Sequence, residues 1–144
     1  GTGFILTDEY AVTNYHVVQM TRDIKIHLGD TAYSVDKTRC NVAADIAFLT
    51  LPYKIELPET DLEFNIGDKV YMYDMVYDRR IKGKIKGTEK KNGYEYIRTD
   101  LPTGTGNSGS AILNKEGKII AIHTFTRGKD SFELPLKYVI EQLE

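Results

Sequence analysis

The chain has little that could brace it from outside. Cys40 is its only cysteine, so no disulfide can form within it and the fold must stand on its buried core. That suits the cytosol, a virus-infected cell or a cysteine-poor secreted bacterial protein, and leaves the location open. No Gly-rich frame surrounds Cys40, which reads as a half-buried structural thiol rather than a nucleophile. No apolar run approaches the length that spans a bilayer, and no signal peptide opens the chain. Gly1-Thr2-Gly3-Phe4-Ile5-Leu6 is already strand-like, as expected of a domain cut from something longer.

An excess of one charge is also missing. Nineteen basic and twenty-one acidic side chains leave a net charge of −2, which gives no global argument for nucleic acid or an anionic membrane. Basic residues alternate with apolar ones through Arg79–Lys86. A solvated strand face explains that more simply than an RNA-binding strip. His16, His27, His123 and Cys40 have no ligand-like spacing, so neither metal nor cofactor is expected. There is no internal repeat and no low-complexity segment.

What is present is a series of short strands. Phe4–Thr7 and Tyr10–Thr13 flank the compact turn Asp8-Glu9, and Ile24, Ile26 and Leu28 alternate with Lys25 and His27. Gly29-Asp30 turns the chain into Ala32–Lys37, and Ile46–Leu51 is a continuous apolar run headed by Asp45 and stopped by Pro52. Residues 52–66, with Pro52, Pro58 and four acids, read as a connection. Six strands follow at Val70–Met75, Ile81–Lys86, Tyr94–Arg98, Ala111–Leu113, Lys118–Phe125 and Phe132–Leu136. Leu136, Val139, Ile140 and Leu143 fall at helical spacing, predicting a short amphipathic helix over 136–143. The fold expected is all-β: two small antiparallel β-barrels over residues 1–51 and 67–144 with a C-terminal helix. With five strands against six, the first barrel is expected to be one strand short.

The chemistry gathers at Thr103-Gly104-Thr105-Gly106-Asn107-Ser108-Gly109-Ser110. Glycines on both sides of Ser108 permit backbone conformations closed to other residues, so a ligand can approach closely. Exposure and free amide N–H groups are two needs of a serine nucleophile; a base is the third. Gly104-x-Gly106-x-x-Gly109 matches the dinucleotide-binding fingerprint, but a hairpin follows where that motif needs a helix. The G-x-S-x-G elbow of α/β-hydrolases fails because Ser110 stands where its last glycine belongs. Upstream, His16 begins a single helical turn, and Asp45 heads the most apolar strand, where a carboxylate needs a hydrogen-bonding partner.

Thr13-Asn14-Tyr15-His16-Val17-Val18, Asp45-Ile46-Ala47 and Gly106-Asn107-Ser108-Gly109, in this order, resemble the three catalytic blocks of trypsin-like serine proteases. The resemblance covers almost the whole chain. It implies Ser108 as nucleophile, His16 as general base and Asp45 as its orienting carboxylate. The backbone N–H groups of Gly106 and Ser108 would form the oxyanion hole. Asn107 departs from digestive trypsins, where an aspartate at this place pairs with a newly cut N-terminus; that activation is not expected here. The short spacings are similar to compact viral polyprotein proteases of the astrovirus type.

Thr103 and His123, five residues before and fifteen after the serine, are similar to the specificity pair of bacterial glutamyl endopeptidases. A histidine and a hydroxyl can donate two hydrogen bonds to a carboxylate or amide. Cleavage after Glu, with Asp or Gln as lesser options, is what this likeness implies, with Thr103, His123 and Thr124 as substrate-binding residues. Arg127 and Lys129 could add positive potential at the pocket mouth. Asp130-Ser131-Phe132-Glu133 lacks the small residues that often open the pocket's far wall. The partner expected is a protein or polyprotein substrate, met by a monomer. The competing class is a latent or catalytically silent module of the same fold that binds peptide or RNA.

Overall fold

Val70, Met72 and Asp74 turn inward along one strand while Lys69, Tyr71 and Tyr73 turn outward, the two-residue period of a strand that covers a core on one face. The computed structural model in which this is seen describes residues 1–28, 31–52 and 58–143. The turn expected at Gly29-Asp30 and residues 53–57 of the connection lie outside the described residues.

Among the described residues six strands occupy the first half: β1 (Phe4–Ile5), β2 (Tyr10–Thr13), β3 (Ile24–Leu28), β4 (Thr31–Val35), β5 (Lys37–Asn41) and β6 (Ile46–Thr50), with the single turn of helix α1 (Tyr15–Val18) after β2. They form a four-stranded sheet in the order β1-β2-β6-β5 and a separate β3–β4 hairpin. The count of five strands is therefore corrected to six. What reads as one strand through Lys37 divides at Asp36, because Thr31–Val35 pairs with β3 while Lys37–Asn41 pairs with β6. Cys40 lies on β5 and is exposed rather than half-buried. The strand it occupies is an edge of its sheet.

The second half is a closed six-stranded barrel made of β7 (Lys69–Asp74), β8 (Arg79–Lys91), β9 (Tyr94–Thr99), β10 (Ala111–Leu113), β11 (Ile119–Arg127) and β12 (Asp130–Pro135). Helix α2 (Leu136–Glu141) follows at once. All six expected strands and the terminal helix are present. The barrel is filled by Val70, Met72, Ile81, Ile85, Ile97, Leu101, Ile112 and Ile120. A second cluster joins the halves: Val12, Ile46 and Phe48 from the first meet Tyr96, Ile122, Phe132, Leu134 and the α2 residues Leu136 and Val139. Burying each large side chain contributes roughly 2 kcal/mol before entropy is counted. This shared core fixes one half against the other. No helix among the described residues is long and apolar enough to cross a membrane.

Candidate active site

Asp45 sits in the left-handed region, φ 57°, a conformation that Asp tolerates better than most residues. The turn before β6 is set by Asp45 N–H donating to Val42 O (3.1 Å) and Ala44 N–H donating to the Asn41 side chain (3.0 Å). The Asp45 carbonyl accepts from Tyr15 N–H (3.2 Å) and from the buried Asn14 side chain (2.9 Å). Both carboxylate oxygens are thereby aimed at the first turn of α1. Oδ1 accepts from the His16 backbone N–H (2.9 Å), and Oδ2 lies 2.5 Å from His16 Nδ1. A carboxylate at Nδ1 fixes that nitrogen as the donor and leaves Nε2 for the cleft. Tyr96 lines the same cleft as a neutral hydroxyl. Burial, then the negative charge of Asp45 and the neighbouring Tyr94, pushes it up to about 12.

The loop that carries Ser108 is held from two sides. Thr2 Oγ1 donates to Gly106 O (3.1 Å) and Thr2 N–H to Ser108 O (3.3 Å), while Thr13 Oγ1 donates to Thr2 O (2.7 Å). On the barrel side Gly109 N–H donates to His123 O and His123 N–H to Ser110 O, each at 2.9 Å. Gly106 and Gly109 both have φ 93°. At Gly109 a Cβ would lie 1.8 Å from Thr2 O, so only glycine lets the two segments approach. Among the described residues, the N–H groups of Gly106 and Ser108 have no protein acceptor. Ser108 Oγ donates to Thr124 O at 3.3 Å rather than to His16.

His16, Asp45, Ser108, Gly104, His123, Thr124 and Thr126 line one cleft of about 550 Å³ between the halves. His123 is buried on β11, and its Nδ1 lies 2.6 Å from Glu133 Oε1 and 3.0 Å from Ser131 Oγ. Glu133 is itself fully buried and also accepts from Thr99 Oγ1 (2.6 Å) and Ser131 Oγ (2.8 Å). The hydroxyl nearest His123 Nε2 is that of Thr126, at 3.5 Å. Thr103 touches Thr126 (2.7 Å) and Ser131 (2.9 Å) instead, so it supports the pair from behind. Arg127 is engaged by Glu89 through two bonds of 2.9 Å; the basic residue lining the cleft is Lys91.

The geometry thus unites three residues separated by 29 and 63 positions in the chain. The sequence model described as the trypsin-like peptidase domain matches residues 1–122. The chain belongs to the trypsin-like peptidase family. Its domain is 32% identical over 143 residues to bovine serine protease HTRA2, mitochondrial, covering 86% of this chain and 31% of that protein. It is 30% identical over 142 residues to the magnetosome formation protease MamE of Magnetospirillum gryphiswaldense, with 86% of this chain and 18% of that protein covered. The peptidase domain therefore spans less than a third of either relative's length. Among solved structures, the active form of the Rv3671c protease from M. tuberculosis superposes with a TM-score of 0.88 at 18% identity, covering 99% of this chain and 71% of that one. That likeness shows the fold.

Asp74 and Thr126 escape a reading of the sequence, and Ser131 and Glu133, which it places only in the pocket's far wall, escape as partners of His123. Asp74 ends a strand like many surface acids, and only its place on the inward face of β7 marks it. Glu133 reaches His123 through a register shift between His123 and Phe125, which spacing alone does not reveal.

Proposed function

We propose that this chain is the peptidase domain of a serine endopeptidase, with Ser108 as nucleophile, His16 as base and Asp45 as the carboxylate that orients it. The His16–Asp45 pair opening on the cleft that holds Ser108 is the observation that carries this reading. A peptide lying in the cleft presents its carbonyl to Ser108. The Ser108 hydroxyl turns from Thr124 O to His16 Nε2, gives up its proton there and attacks the carbonyl carbon. The oxyanion is met by the N–H groups of Gly106 and Ser108, preorganised because Thr2 fixes the adjoining carbonyls. His16 then passes the proton to the leaving amine, and a water repeats the sequence to release the acyl group.

Cleavage after Glu is the substrate preference proposed, with Asp and Gln as poorer substrates. Its support is His123, whose Nδ1 is committed to Glu133 and whose Nε2 lies beside Thr126 on the cleft. In the protonated ring Nε2–H donates to a side-chain carboxylate, and Thr126 supplies a hydroxyl alongside, whereas Thr124 Oγ1 accepts from Asn14 Nδ2 and donates to Ile122 O, each at 3.4 Å. The bond from Ser108 to Thr124 O favours a second reading, a latent form whose nucleophile is turned away until substrate arrives. A fluorophosphonate probe tests the first reading. Labelling of the native chain that is lost in Ser108→Ala and His16→Ala establishes the activated nucleophile. Asp45→Asn should lower turnover by about ten-thousandfold through the wrong histidine tautomer. No labelling of the folded native chain selects the latent or silent module.

A further inference from the structure

We infer that Asp74 is a positioning residue for the oxyanion hole, its buried carboxylate in the β7–β8 turn anchoring the nucleophile loop through the side chain of Asn107. The inference rests on the serine-peptidase reading and adds a residue that neither its motifs nor its cleft contains.

Asp74 occupies an inward position of β7 and is 2% exposed. A carboxylate in such a place is strongly disfavoured unless donors surround it. Four do. Asn107 Nδ2 donates at 2.9 Å, Val76 N–H at 3.0 Å, Arg79 Nε at 3.2 Å and Tyr77 N–H at 3.4 Å. The two backbone donors and the arginine belong to the turn itself, and an exposed aspartate could receive them equally well. Burial of the carboxylate serves the remaining bond, the one that crosses to residue 107.

Both ends of the Asn107 amide are engaged. While Nδ2 donates to Asp74, Oδ1 accepts from Gly104 N–H (2.9 Å), and the Asn107 backbone N–H donates to Gly104 O (3.1 Å). Residues 104–107 are closed into one ring of contacts whose outer anchor is Asp74. A second contact comes from the same turn: Val76 Cγ2 lies 2.6 Å from where a Cβ on Gly106 would stand. The turn therefore touches both residues that flank the Gly106–Asn107 peptide. On the opposite side Thr2 holds the carbonyls of Gly106 and Ser108.

This arrangement accounts for Asn107. An aspartate there would set two carboxylates against each other at 2.9 Å, the present distance between the groups. Relative to the digestive enzymes the charge has moved from the residue before the serine to the β7–β8 turn, and the residue before the serine has become the donor. The anchor is made within the domain and needs no liberated amine.

The test compares Asp74→Ala, Asp74→Asn and Asn107→Ala with the native chain in peptide hydrolysis and in hydrogen–deuterium exchange of residues 101–109. Misplacing a preorganised donor should lower kcat by about ten- to a hundredfold in Asp74→Ala and Asn107→Ala, with KM within about threefold. Asp74→Asn keeps an acceptor for Asn107 and should recover part of the loss. Exchange at 104–108 should quicken in parallel while the barrel strands keep their protection. If Asp74→Ala does not fold, Asp74→Asn and Asn107→Ala decide. A kcat within about threefold of native in the folded variants, or unchanged exchange in the loop, overturns the inference. A native chain that hydrolyses nothing would instead overturn the peptidase reading, and the exchange would still decide whether Asp74 orders the loop.

Discussion

Exchanging Glu133 for glutamine is the sharpest probe of how the pocket is built. Three donors converge on the native carboxylate: His123 Nδ1 at 2.6 Å, Ser131 Oγ at 2.8 Å and Thr99 Oγ1 at 2.6 Å. Glutamine keeps the shape but offers one acceptor oxygen and an NH₂ group. The favourable placement turns the oxygen to His123 and Ser131 and the NH₂ to Thr99, whose hydroxyl can rotate to accept. All three bonds lose the charge on their acceptor and none is orphaned, while the burial cost of that charge goes too, a net loss of about 2 kcal/mol. For a chain of this length that corresponds to a fall in Tm of about 8 °C. The substrate effect has the same origin. Glutamine holds the His123 Nδ1–H less firmly, so the Nε2 edge beside Thr126 is less well set to meet a carboxylate. The ratio of kcat/KM for matched Glu and Gln peptides should fall by about tenfold. Calorimetry and paired peptide assays read the two effects separately. A Tm within about 2 °C of native together with an unchanged ratio would refute the coupling of Glu133 to the pocket.

Gly109→Ala should reduce stability by more than about 3 kcal/mol and abolish labelling by the probe, since its Cβ would meet Thr2 O at 1.8 Å. Gly117→Ala, also at positive φ but with nothing within 4 Å, should lose only about 1 kcal/mol in the same thermal melts. Acid titration gives the remaining test. Burial raises the Asp74 carboxyl, but the donors from Asn107, Val76, Arg79 and Tyr77 outweigh it and hold the group below its ordinary value of 3.8. A lowered carboxyl stabilises the fold fully above the unfolded value and loses that contribution as the pH falls through the folded one. The stability gap between native and Asp74→Asn should thus be constant above about pH 5 and shrink on acidification below 3.8. A gap that widens there would contradict the assignment.

Much of the second barrel is plain in the sequence, because β7 alternates and the turns at Asn92-Gly93, Asn114–Gly117 and Gly128-Lys129 carry Gly or Asn. The three blocks around His16, Asp45 and Ser108 are equally plain, each tied to a local feature: a helical turn, a strand head, a Gly-rich loop. The polar stretch Lys37-Thr38-Arg39-Cys40-Asn41 has no apolar period, and its status as a strand comes entirely from pairing with β6. His123 could be named, but not its partner. Beyond the bulge Phe125 pairs with Phe132, and continuing that register would face His123 with Leu134; the one-residue shift delivers Glu133. The likeness to glutamyl endopeptidases points to Thr103 as the partner of His123, whereas the fold puts Thr126 beside Nε2 and Thr103 behind it. Long-range register is a tertiary property, and single-chain periodicity does not carry it.

Thr2 meets Gly106 across 104 positions of chain. Bringing such remote segments together is entropically demanding and slow compared with closing hairpins. The loop that carries Ser108 depends on this meeting for two of its carbonyl contacts, whereas the barrel strands around it pair mostly with near neighbours. A nascent chain can therefore build its scaffold well before the loop that carries Ser108 is framed. Framing of the Ser108 loop is then a late step of folding, set by the slow meeting of the chain's first residues with its last third.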